Sequence, residues 1–493
     1  MGDIIREMLI SHDSQETRVA LLEDRRLVEL YIERPKKSVV GNVYLGKVRD
    51  VLPGMQAAFV DIGLEKNAFL YVDEVVAPED AENVPRRDIQ HLLKPGQQVM
   101  VQVLKDPMGT KGARVTTEIT LPGRFVVLMP FSRFVGVSRK LPEPERDRLH
   151  DLVASLVPPD AGAIVRTAAN GASEAEVRSD IEFLLRLWKR VQTQAHQGLA
   201  PEVVYTEMDL ALRMVRDAFS EEHRRLLVDD KRLYEKVVSF LKKTSPKLVK
   251  RVSYYRDRTP LFDSHNLQPD IDLATQRVVP LPSGGHITID KTEALTAIDV
   301  NTGRYVGKKN LEDTIVKTNL EAAEEAVRQM RLRDIGGIIV IDFIDMENAE
   351  NRAQVFSVLN AHLERDRTKT RAIEISRLGL VEMTRKNVTD GLFEVLTDVC
   401  PRCYGTGRVM SGTSRRIAAE RRMREILLSG KSSAYLFGLN PQTYELVMAP
   451  GTNALAQLRA ESGKHVAVIA EEDCGPTEVR VLIEGRPGSE GGA

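Results

Sequence analysis

Two short apolar segments, each ending in an aspartate and separated by an amphipathic stretch, constrain the fold of this chain most strongly. The segments are ALTAIDVNTGR, which contains Asp299, and GGIIVIDFIDM, which contains Asp342. Residues 311–333 carry apolar side chains three and four positions apart, which predicts one helix that ends at Gly336-Gly337. A strand, a crossover helix and a second strand form a right-handed parallel unit, in which both strands end at the same sheet edge. We therefore expect the two aspartates to lie close together.

A pair of neighbouring carboxylates is a candidate metal site. Two such groups repel each other unless a proton or a cation lies between them. Mg²⁺ prefers oxygen ligands and commonly takes one or two carboxylates, and such an ion can activate water and offset charge on a phosphodiester. Asn301 falls on the same strand face as Asp299 and is placed to orient a carboxylate or a phosphate. The alternative is structural, because strand-end aspartates often cap the next helix. We assign that capping role to Asp345, and the spacing alone leaves both interpretations of Asp299 and Asp342 open.

The second local signal is the cysteine motif CPRCYGTGR. Cys-x-x-Cys followed by glycines is typical of a zinc knuckle, in which both thiolates face one ion. A redox motif instead favours the start of a helix, and two inert cysteines are a third interpretation. A structural zinc takes four ligands, and Cys474, His362 and His465 have no zinc-like partner nearby in sequence. The simplest completion is Cys400 and Cys403 of a second copy, which predicts a homodimer that shares one zinc ion.

Turn signals and changes of periodicity divide the chain into several domains. Residues 7–33 form strands too few to close a core, so we expect them to pair with a later segment. The segments VGNVYLGKVRDVL, QAAFVDIGLEKNAFLYV and QQVMVQVLKD, with glycine corners, predict a small closed barrel of the OB type. The next region mixes strands with a helix that begins at a capping box of Ser173 and Glu176. Residues 208–258 are predicted to be helical and basic, and strands are predicted near YELVMAP, HVAVIA and EVRVLIEG.

Length, charge and cysteine usage limit the function classes. A chain of 493 residues exceeds one compact core. The net charge of -1 excludes a simple basic nucleic-acid coat protein, so any RNA binding must be focused in local sites. No apolar run approaches the roughly 20 residues of a membrane helix, and the N-terminus lacks a secretory signal. Three cysteines do not form a disulfide framework, so we expect a cytoplasmic protein.

Candidate RNA contacts are weaker signals when each is considered alone. Phe59 and Phe69 lie near strand ends of the predicted barrel, where aromatic rings can stack on bases. An isolated strand phenylalanine is more often a core residue, and the pattern alone favours the core. Arg166 and Thr167 end a later strand, and an arginine beside a hydroxyl suits a terminal phosphate. By themselves, such residues are usually ordinary surface residues.

Taken together, these segments resemble the RNase E/G family of bacterial endoribonucleases. The resemblance covers nearly the whole chain and rests on an ordered series of motifs: GNVYLGKV, QAAFVDIG, FVVLMP, IVRTA, TAIDVNTG, IVIDFIDM, ISRLGLVEMTRK and CPRCYGTG. It implies cleavage of single-stranded RNA that leaves a 5′-phosphate and a 3′-hydroxyl. The shorter branch of the family matures the 5′ end of ribosomal RNA and turns over messenger RNA. The alternative is a non-catalytic RNA-binding or ribosome-assembly protein of the same fold.

The resemblance also implies roles for individual residues. The magnesium-binding catalytic group corresponds to Asp299, Asp342 and the supporting Asn301, and the zinc link between protomers corresponds to Cys400 and Cys403. The barrel positions that contact RNA correspond to Phe59, Phe69 and Lys111, which reverses the core interpretation of the two phenylalanines. The positions that sense a 5′-monophosphate correspond to Gly123, Val127, Arg139, Arg166, Thr167 and Lys369. The family commonly has an arginine at the last position, and a lysine keeps the charge but loses the bidentate fork.

The fold implied by the resemblance is a multidomain α/β chain. Its expected parts are an RNase H-like domain of residues 1–36 and 210–277, an OB-fold barrel of 37–120, a 5′-sensor subdomain of 121–209, a DNase I-like catalytic domain of 278–397, a zinc link of 398–410 and a small C-terminal α/β domain of 411–493. The expected partners are single-stranded RNA and a second copy of the chain. No association with a membrane is expected.

Overall fold

The computed structural model of the chain describes residues 4–34, 38–76, 88–107, 111–303, 311–376, 378–386 and 391–486. Two compact units are present, Met1–Thr397 and Asp398–Ala493. No helix in the described ranges is both long and apolar enough to span a bilayer.

The strands form four sheets in the first unit and one sheet in the second. They are β1 (Arg6–His12), β2 (Thr17–Glu23), β3 (Arg26–Glu33), β4 (Val43–Leu52), β5 (Ala57–Asp61), β6 (Ala68–Tyr71), β7 (Gln98–Lys105), β8 (Arg114–Thr116), β9 (Leu121–Pro122), β10 (Val126–Met129), β11 (Val135–Val137), β12 (Gly162–Val165), β13 (Glu202–Tyr205), β14 (His223–Val228), β15 (Val252–Tyr254), β16 (Val278–Pro280), β17 (His286–Lys291), β18 (Leu295–Asn301), β19 (Gly337–Asp342), β20 (Thr370–Ala372), β21 (Leu380–Arg385), β22 (Ala434–Leu439), β23 (His465–Ala470) and β24 (Val479–Gly485).

The α-helices lie between these strands and pack against the sheets. They are α1 (Ile89–Leu92), α2 (Glu143–Leu156), α3 (Glu174–Gln197), α4 (Leu210–Asp217), α5 (Lys231–Thr244), α6 (Leu261–Ser264), α7 (Gln268–Ala274), α8 (Leu311–Leu332), α9 (Ala349–Leu363), α10 (Leu392–Leu396), α11 (Gly412–Ser429), α12 (Pro441–Met448) and α13 (Ala454–Ser462).

The first sheet joins the N-terminal strands to a segment about 200 residues later, in the order β15-β14-β1-β2-β3. β1 pairs in parallel with β14, with Met8 opposite Leu226. The expectation that residues 7–33 pair with a later segment is therefore confirmed. The expectation that 208–258 is entirely helical is wrong, because it contains β14 and β15. Periodicity alone does not separate a short buried strand from a buried piece of helix.

A buried charge cluster connects this first sheet to α8. The Arg331 guanidinium contacts Glu29 at 3.0 Å and Glu23 at 2.9 Å, and Arg367 binds the other oxygen of Glu29. Burial acts to raise the pKa of Glu29, but Arg367 and Arg331 outweigh it and hold that pKa at about 2. The carboxylate is thus charged at neutral pH, and the cluster fixes α8 against β2 and β3.

A closed five-stranded barrel follows, as the glycine corners predicted. Its strands run in the order β4-β5-β6-β8-β7, and β7 pairs back to β4 with Val43 opposite Gln102. Alternate residues fill the interior, including Ala58, Val60 and Leu70. Gly46 is required where the wall curves, because a Cβ there would lie 2.5 Å from the Val60 side chain.

The third sheet has the order β11-β12-β10-β9 and packs against α2 and α3. The predicted capping box at the start of α3 is present. The Glu176 N–H donates to Ser173 Oγ at 3.3 Å, and the Ser173 N–H donates to Glu176 Oε2 at 2.9 Å. Helix starts of this kind are encoded within four residues, which explains why the sequence predicts this one.

The fourth sheet has the order β16-β17-β18-β19-β21-β20, with α8 and α9 on one face. The predicted crossover is present, because β18 and β19 are parallel and α8 joins them. The expectation that Gly336-Gly337 ends the helix is wrong. The left-handed residue is Asp334, with φ 49°, and the Ile335 N–H donates to the Met330 carbonyl at 2.9 Å. Arg385 holds Asp334 in place through a 2.8 Å contact with Oδ1.

The second unit is a three-stranded sheet of order β23-β22-β24 with α11, α12 and α13. The predicted strands HVAVIA and EVRVLIEG are present. The predicted strand near YELVMAP is wrong, because those residues form α12 and its end. Asn440 caps this helix by accepting the Gln442 N–H at 3.2 Å, and Pro441 occupies its first position. The mixed α/β, multidomain architecture with a closed barrel is confirmed.

Candidate active site

The two aspartates predicted to meet are direct register partners at the ends of β18 and β19. Burial alternates along both strands, so that Ile298 and Ile341 face the helices. Asp299 and Asp342 point to the opposite, solvent-exposed face of the sheet. Asn301 lies on that same exposed face, two residues beyond Asp299, because strand side chains alternate.

An amide fixes the first carboxylate. Asn301 Nδ2 donates to Asp299 Oδ2 at 2.6 Å. A planar amide that holds one carboxylate oxygen restricts the rotation of the carboxylate, which favours a fixed position for any ligand of Asp299. The predicted supporting role of Asn301 is therefore accompanied by a direct hydrogen bond to Asp299.

The surroundings of the second carboxylate, Asp342, disfavour its charged form. Partial burial raises the pKa of Asp342, and the negative charges of Asp299 and Asp345 raise it further. Two carboxylates on directly opposed residues repel each other, which favours either a shared proton or a bound cation. The arrangement is thus a site of high negative potential on an exposed sheet face.

Asp345 is not the helix cap that the sequence suggested. Asn348 caps α9, because its Oδ1 accepts the Glu350 N–H at 2.8 Å. The segment that carries Asp345 is held instead by Asn319 of α8. Asn319 Nδ2 donates to the Ile344 carbonyl at 2.8 Å, and Asn319 Oδ1 accepts the Ile344 N–H at 3.1 Å. This two-bond clamp holds Asp345 near Asp342, where the charge of Asp345 raises the pKa of Asp342. No sequence pattern predicts the clamp.

The hairpin of β17 and β18 brings a further side chain to the site. His286 is the register partner of Asn301, and Thr288 is the partner of Asp299. Direct cross-strand partners project from the same face of an antiparallel pair. The turn fixes this register, since the Thr292 N–H donates to the Leu295 carbonyl at 2.9 Å. The alternation in HITID and the turn after it were the available signal for His286.

The barrel carries an aromatic pair on its outer surface. Phe59 and Phe69 are register partners on β5 and β6, with ring centroids 6.0 Å apart and planes at 68°. Both rings are half-buried, while their neighbours Ala58 and Leu70 fill the interior. The pattern-based core interpretation of these phenylalanines is therefore wrong. Exposed Lys111 begins the segment that runs alongside β6.

The predicted 5′-sensing residues gather around the ends of β10 and β12. Arg166 Nη1 donates to the Gly123 carbonyl at 2.7 Å and to Asp217 Oδ1 at 2.6 Å. Glycine is required at 123, because a Cβ would lie 2.5 Å from Asp180 Oδ2. Thr167 Oγ1 lies 2.9 Å from the hydroxyl of Ser138. The orienting acid, Asp217, is 51 residues from Arg166, so no local pattern marks it.

The remaining members of that set lie on adjoining segments. Val127 pairs with Ile164 in the same sheet, and Arg139 directly follows Ser138. The next residue, Lys140, donates from Nζ to the carbonyls of residues 366 and 367 at 3.1 and 3.2 Å. The segment that leads to Lys369 therefore lies beside residues 138–140, and Lys369 itself is exposed.

The cysteine motif forms an open loop in the second unit. Cys400 is exposed and Cys403 is half-buried. The backbone N–H groups of Cys403 and Arg402 lower the pKa of the Cys400 thiol, which favours the thiolate that metals bind. The Tyr404 N–H donates to the Cys400 carbonyl at 2.8 Å, and Gly405 has φ 86°. The loop is not the start of a helix, which argues against the redox interpretation.

The candidate metal ligands of the described residues form no larger cluster. Within those ranges, no three histidine, cysteine, aspartate or glutamate side chains converge on one metal position. Cys474 is buried, with its thiol 3.6 Å from the Gly438 carbonyl. The candidate metal ligands named above therefore remain two pairs, Asp299 with Asp342 and Cys400 with Cys403.

The chain is similar to known proteins over most of its length. The sequence model of the Ribonuclease E/G family matches residues 120–388. The chain is 42% identical to Ribonuclease G of Escherichia coli over 473 residues, which cover 94% of this chain and 97% of the relative. It is 40% identical to Ribonuclease G of Haemophilus influenzae over 486 residues, 97% of this chain and 99% of the relative. It is 38% identical to Ribonuclease E of Escherichia coli over 429 residues, 85% of this chain and 40% of the relative.

The chain belongs to the Ribonuclease E/G family, as the ordered motifs predicted. Its alignments span nearly the full length of the Ribonuclease G relatives and less than half of the Ribonuclease E relatives.

Proposed function

We propose that this protein is a metal-dependent endoribonuclease that hydrolyses single-stranded RNA at the Asp299–Asp342 pair. The observation that carries the proposal is the placement of both carboxylates as register partners on an exposed sheet face, with Asn301 bonded to one of them. Family membership and the ribonuclease names of the relatives support RNA as the substrate. Hydrolysis leaves a 5′-phosphate and a 3′-hydroxyl.

The donor chemistry of the pair fits Mg²⁺. This ion is commonly bound by one or two carboxylates and keeps several waters, and mutual repulsion at Asp342 is relieved by a cation. When bound, such an ion activates water and stabilises charge that develops on the phosphodiester. Asp299 and Asp342 would hold the ion, and Asn301 keeps the Asp299 carboxylate in one orientation.

RNA contacts outside the pair are proposed for two surfaces. The edge-to-face rings of Phe59 and Phe69 offer a stacking surface for bases, and Lys111 offers a charge for phosphate. A 5′-monophosphorylated end is proposed to be favoured by Gly123, Val127, Arg139, Arg166, Thr167 and Lys369. Asp217 holds the Arg166 guanidinium so that its remaining N–H groups are pre-oriented for a phosphate.

The exposed thiols support a zinc ion shared between two protomers. Cys400 and Cys403 supply two of the four ligands that structural zinc takes. The identical pair of a second copy would supply the other two thiolates across a two-fold axis. The proposed assembly is a homodimer held by structural Zn²⁺.

The proposed biological role is maturation of ribosomal RNA 5′ ends and turnover of messenger RNA in the cytoplasm. Free thiols on the described cysteines are consistent with a reducing compartment. In the family's terms, the first sheet is the RNase H-like domain, the barrel is the OB-fold RNA-binding domain and the fourth sheet is the DNase I-like domain.

The decisive assay uses a 5′-monophosphorylated, AU-rich single-stranded oligonucleotide with Mg²⁺. Asp299→Asn is expected to abolish cleavage and retain RNA binding, because the amide keeps the shape but loses the charge. The matched control is Glu293→Gln, which neutralises an exposed acid in the turn between β17 and β18. If wild type and Asp299→Asn degrade the oligonucleotide equally slowly while both bind it, the non-catalytic RNA-binding alternative replaces the enzyme.

A further inference from the structure

A basic groove lies on the exposed face of the catalytic sheet, at the strand ends opposite to the aspartates. Its volume is about 480 Å³, and its lining is Gly337, Ile338, Lys369, Arg371, Thr384, Arg385 and Lys386. Among the residues that the structure describes, the lining contains no acidic side chain. Three different strands contribute to it, so the groove exists only after β19, β21 and β20 have paired.

The register of these strands places a row of side chains across the groove. Ile338 of β19 is the partner of Thr384 of β21, and Thr384 is the partner of Arg371 of β20. The Lys386 N–H donates to the Lys369 carbonyl at 3.0 Å, which brings those two lysines to adjoining positions. Cross-strand partners project from the same face. The row therefore combines an aliphatic side chain, a hydroxyl and positive charge within one concave surface.

The charges of the groove are of two kinds. Arg385 is buried and neutralised from beneath by Asp366 at 2.7 Å and Asp334 at 2.8 Å. Arg371 and Lys386 are exposed, and neither forms an ion pair within the described ranges. Exposed cations without acidic partners attract a polyanion, while a buried and paired arginine shapes the floor.

The groove and the aspartate pair share one face of one sheet. Ile338 and Asp342 are four residues apart on β19, so their side chains project on the same side. Four residues of extended strand correspond to about 13 Å. Ile338 is 51% exposed, which leaves an uncovered aliphatic surface within the positive groove.

We propose that this groove is a phosphodiester-binding subsite that holds single-stranded RNA about one strand length from the scissile bond. Arg371 and Lys386 bind a backbone phosphate, and Ile338 supports the adjoining nucleoside. This inference rests on the proposed ribonuclease function and deepens it, because it adds a substrate contact on the catalytic sheet itself. Glu382, which faces the same side between the groove and the pair, confines the phosphate to the basic end.

Binding is tested first, with cleavage blocked by Asp299→Asn. The probe is a fluorescein-labelled single-stranded RNA with a 5′-hydroxyl, so that sensing of a 5′-phosphate does not contribute. Addition of Arg371→Ala and Lys386→Ala is expected to weaken binding about tenfold, and to flatten the slope of log affinity against log salt by about 0.7, the contribution of one phosphate. The matched control is Lys189→Ala with Arg190→Ala, which removes the same charge from exposed positions of α3. An effect no larger than that of the control would overturn the subsite.

Cleavage kinetics then locate the subsite relative to the bond that is cut. Oligonucleotides with one cleavage position are shortened stepwise from either end. For long substrates, the double variant is expected to raise KM about tenfold and leave kcat unchanged. The difference should vanish once the arm that reaches the groove has been removed. If the ratio of the KM of the double variant to that of wild type were constant at all substrate lengths, the proposal would be refuted. Arg371→Lys, with Lys386 unchanged, should keep the wild-type KM.

The two proposals fail in different ways. If the binding effect is present but wild type and Asp299→Asn cleave alike, the ribonuclease assignment is wrong and the groove remains an RNA site. If Asp299→Asn is inactive but the groove variant behaves like the control, the enzyme stands and the subsite is wrong. Equal thermal unfolding of the groove variant and its control excludes a folding defect, since both altered side chains are exposed.

Discussion

Truncation of Asn319 to alanine tests how the fold holds the acidic site. Asn319 is 0% exposed on α8 and makes two hydrogen bonds with the backbone of Ile344, at 2.8 and 3.1 Å. Ile344 lies in the irregular segment between β19 and α9, where the chain has no ladder partner. These two bonds therefore take the place of regular backbone pairing.

The magnitude follows from the number of bonds and from the burial of the side chain. Each bond contributes about 1 kcal/mol net, and removal of the side-chain atoms from a closed site adds about 1 kcal/mol. The free energy of local opening of the segment should therefore fall by about 3 kcal/mol. Where amide hydrogen exchange proceeds by local opening, this change makes exchange roughly 100-fold faster. Cleavage should slow at the same time, because Asp345 and the end of β19 lose their support.

The assay is hydrogen exchange read by mass spectrometry on peptides covering residues 337–348, together with kcat for single-stranded RNA. Thr318→Ala is the control. Thr318 is equally buried, but its hydroxyl bonds only within α8, to the Thr314 carbonyl at 2.9 Å. The clamp is refuted if Asn319→Ala leaves exchange of these peptides unchanged, or if Thr318→Ala accelerates it as much.

Four further outcomes are expected. The pKa of Glu29 is lowered from 4.5 to about 2, so its charge stabilises the fold by about 3 kcal/mol above pH 4.5. This stabilisation is lost as the pH falls toward 2. The melting temperature of wild type should therefore fall more steeply over this pH range than that of Glu29→Gln. Phe69→Ala should weaken RNA binding by about 1–3 kcal/mol in a titration without loss of folding, because its ring lies outside the barrel core; a large drop in melting temperature would contradict this. Cys400→Ser should release zinc and lower the mass of the assembly, and unchanged zinc content and mass would remove the shared site. Arg166→Ala should slow cleavage of 5′-monophosphorylated RNA more than of 5′-hydroxyl RNA, whereas equal slowing would exclude Arg166 from end sensing.

Features with a short-range signature could be predicted from the sequence. The crossover from β18 through α8 to β19 follows from periodicity, and the start of α3 follows from Ser173 and Glu176. The barrel strands follow from alternating residues and glycine corners. The ordered motifs were enough to predict the family, because each is a local string.

Features that depend on partners distant in sequence could not be predicted in this way. Asp334 ends α8 because Arg385 holds it, and Asp345 belongs to the acidic site because Asn319 clamps its neighbour. Asp217 reaches Arg166 only when the third sheet has packed beside α4.

The sequence by itself determined that Asp299 and Asp342 end adjacent strands, since the side-chain period and the crossover rule act over a few residues. Only the tertiary structure decided that a basic groove lies on the same face of the sheet. The groove depends on the register of β19 and β21, which are far apart in the chain. Register is set by how whole faces pack, and a local pattern does not carry that information.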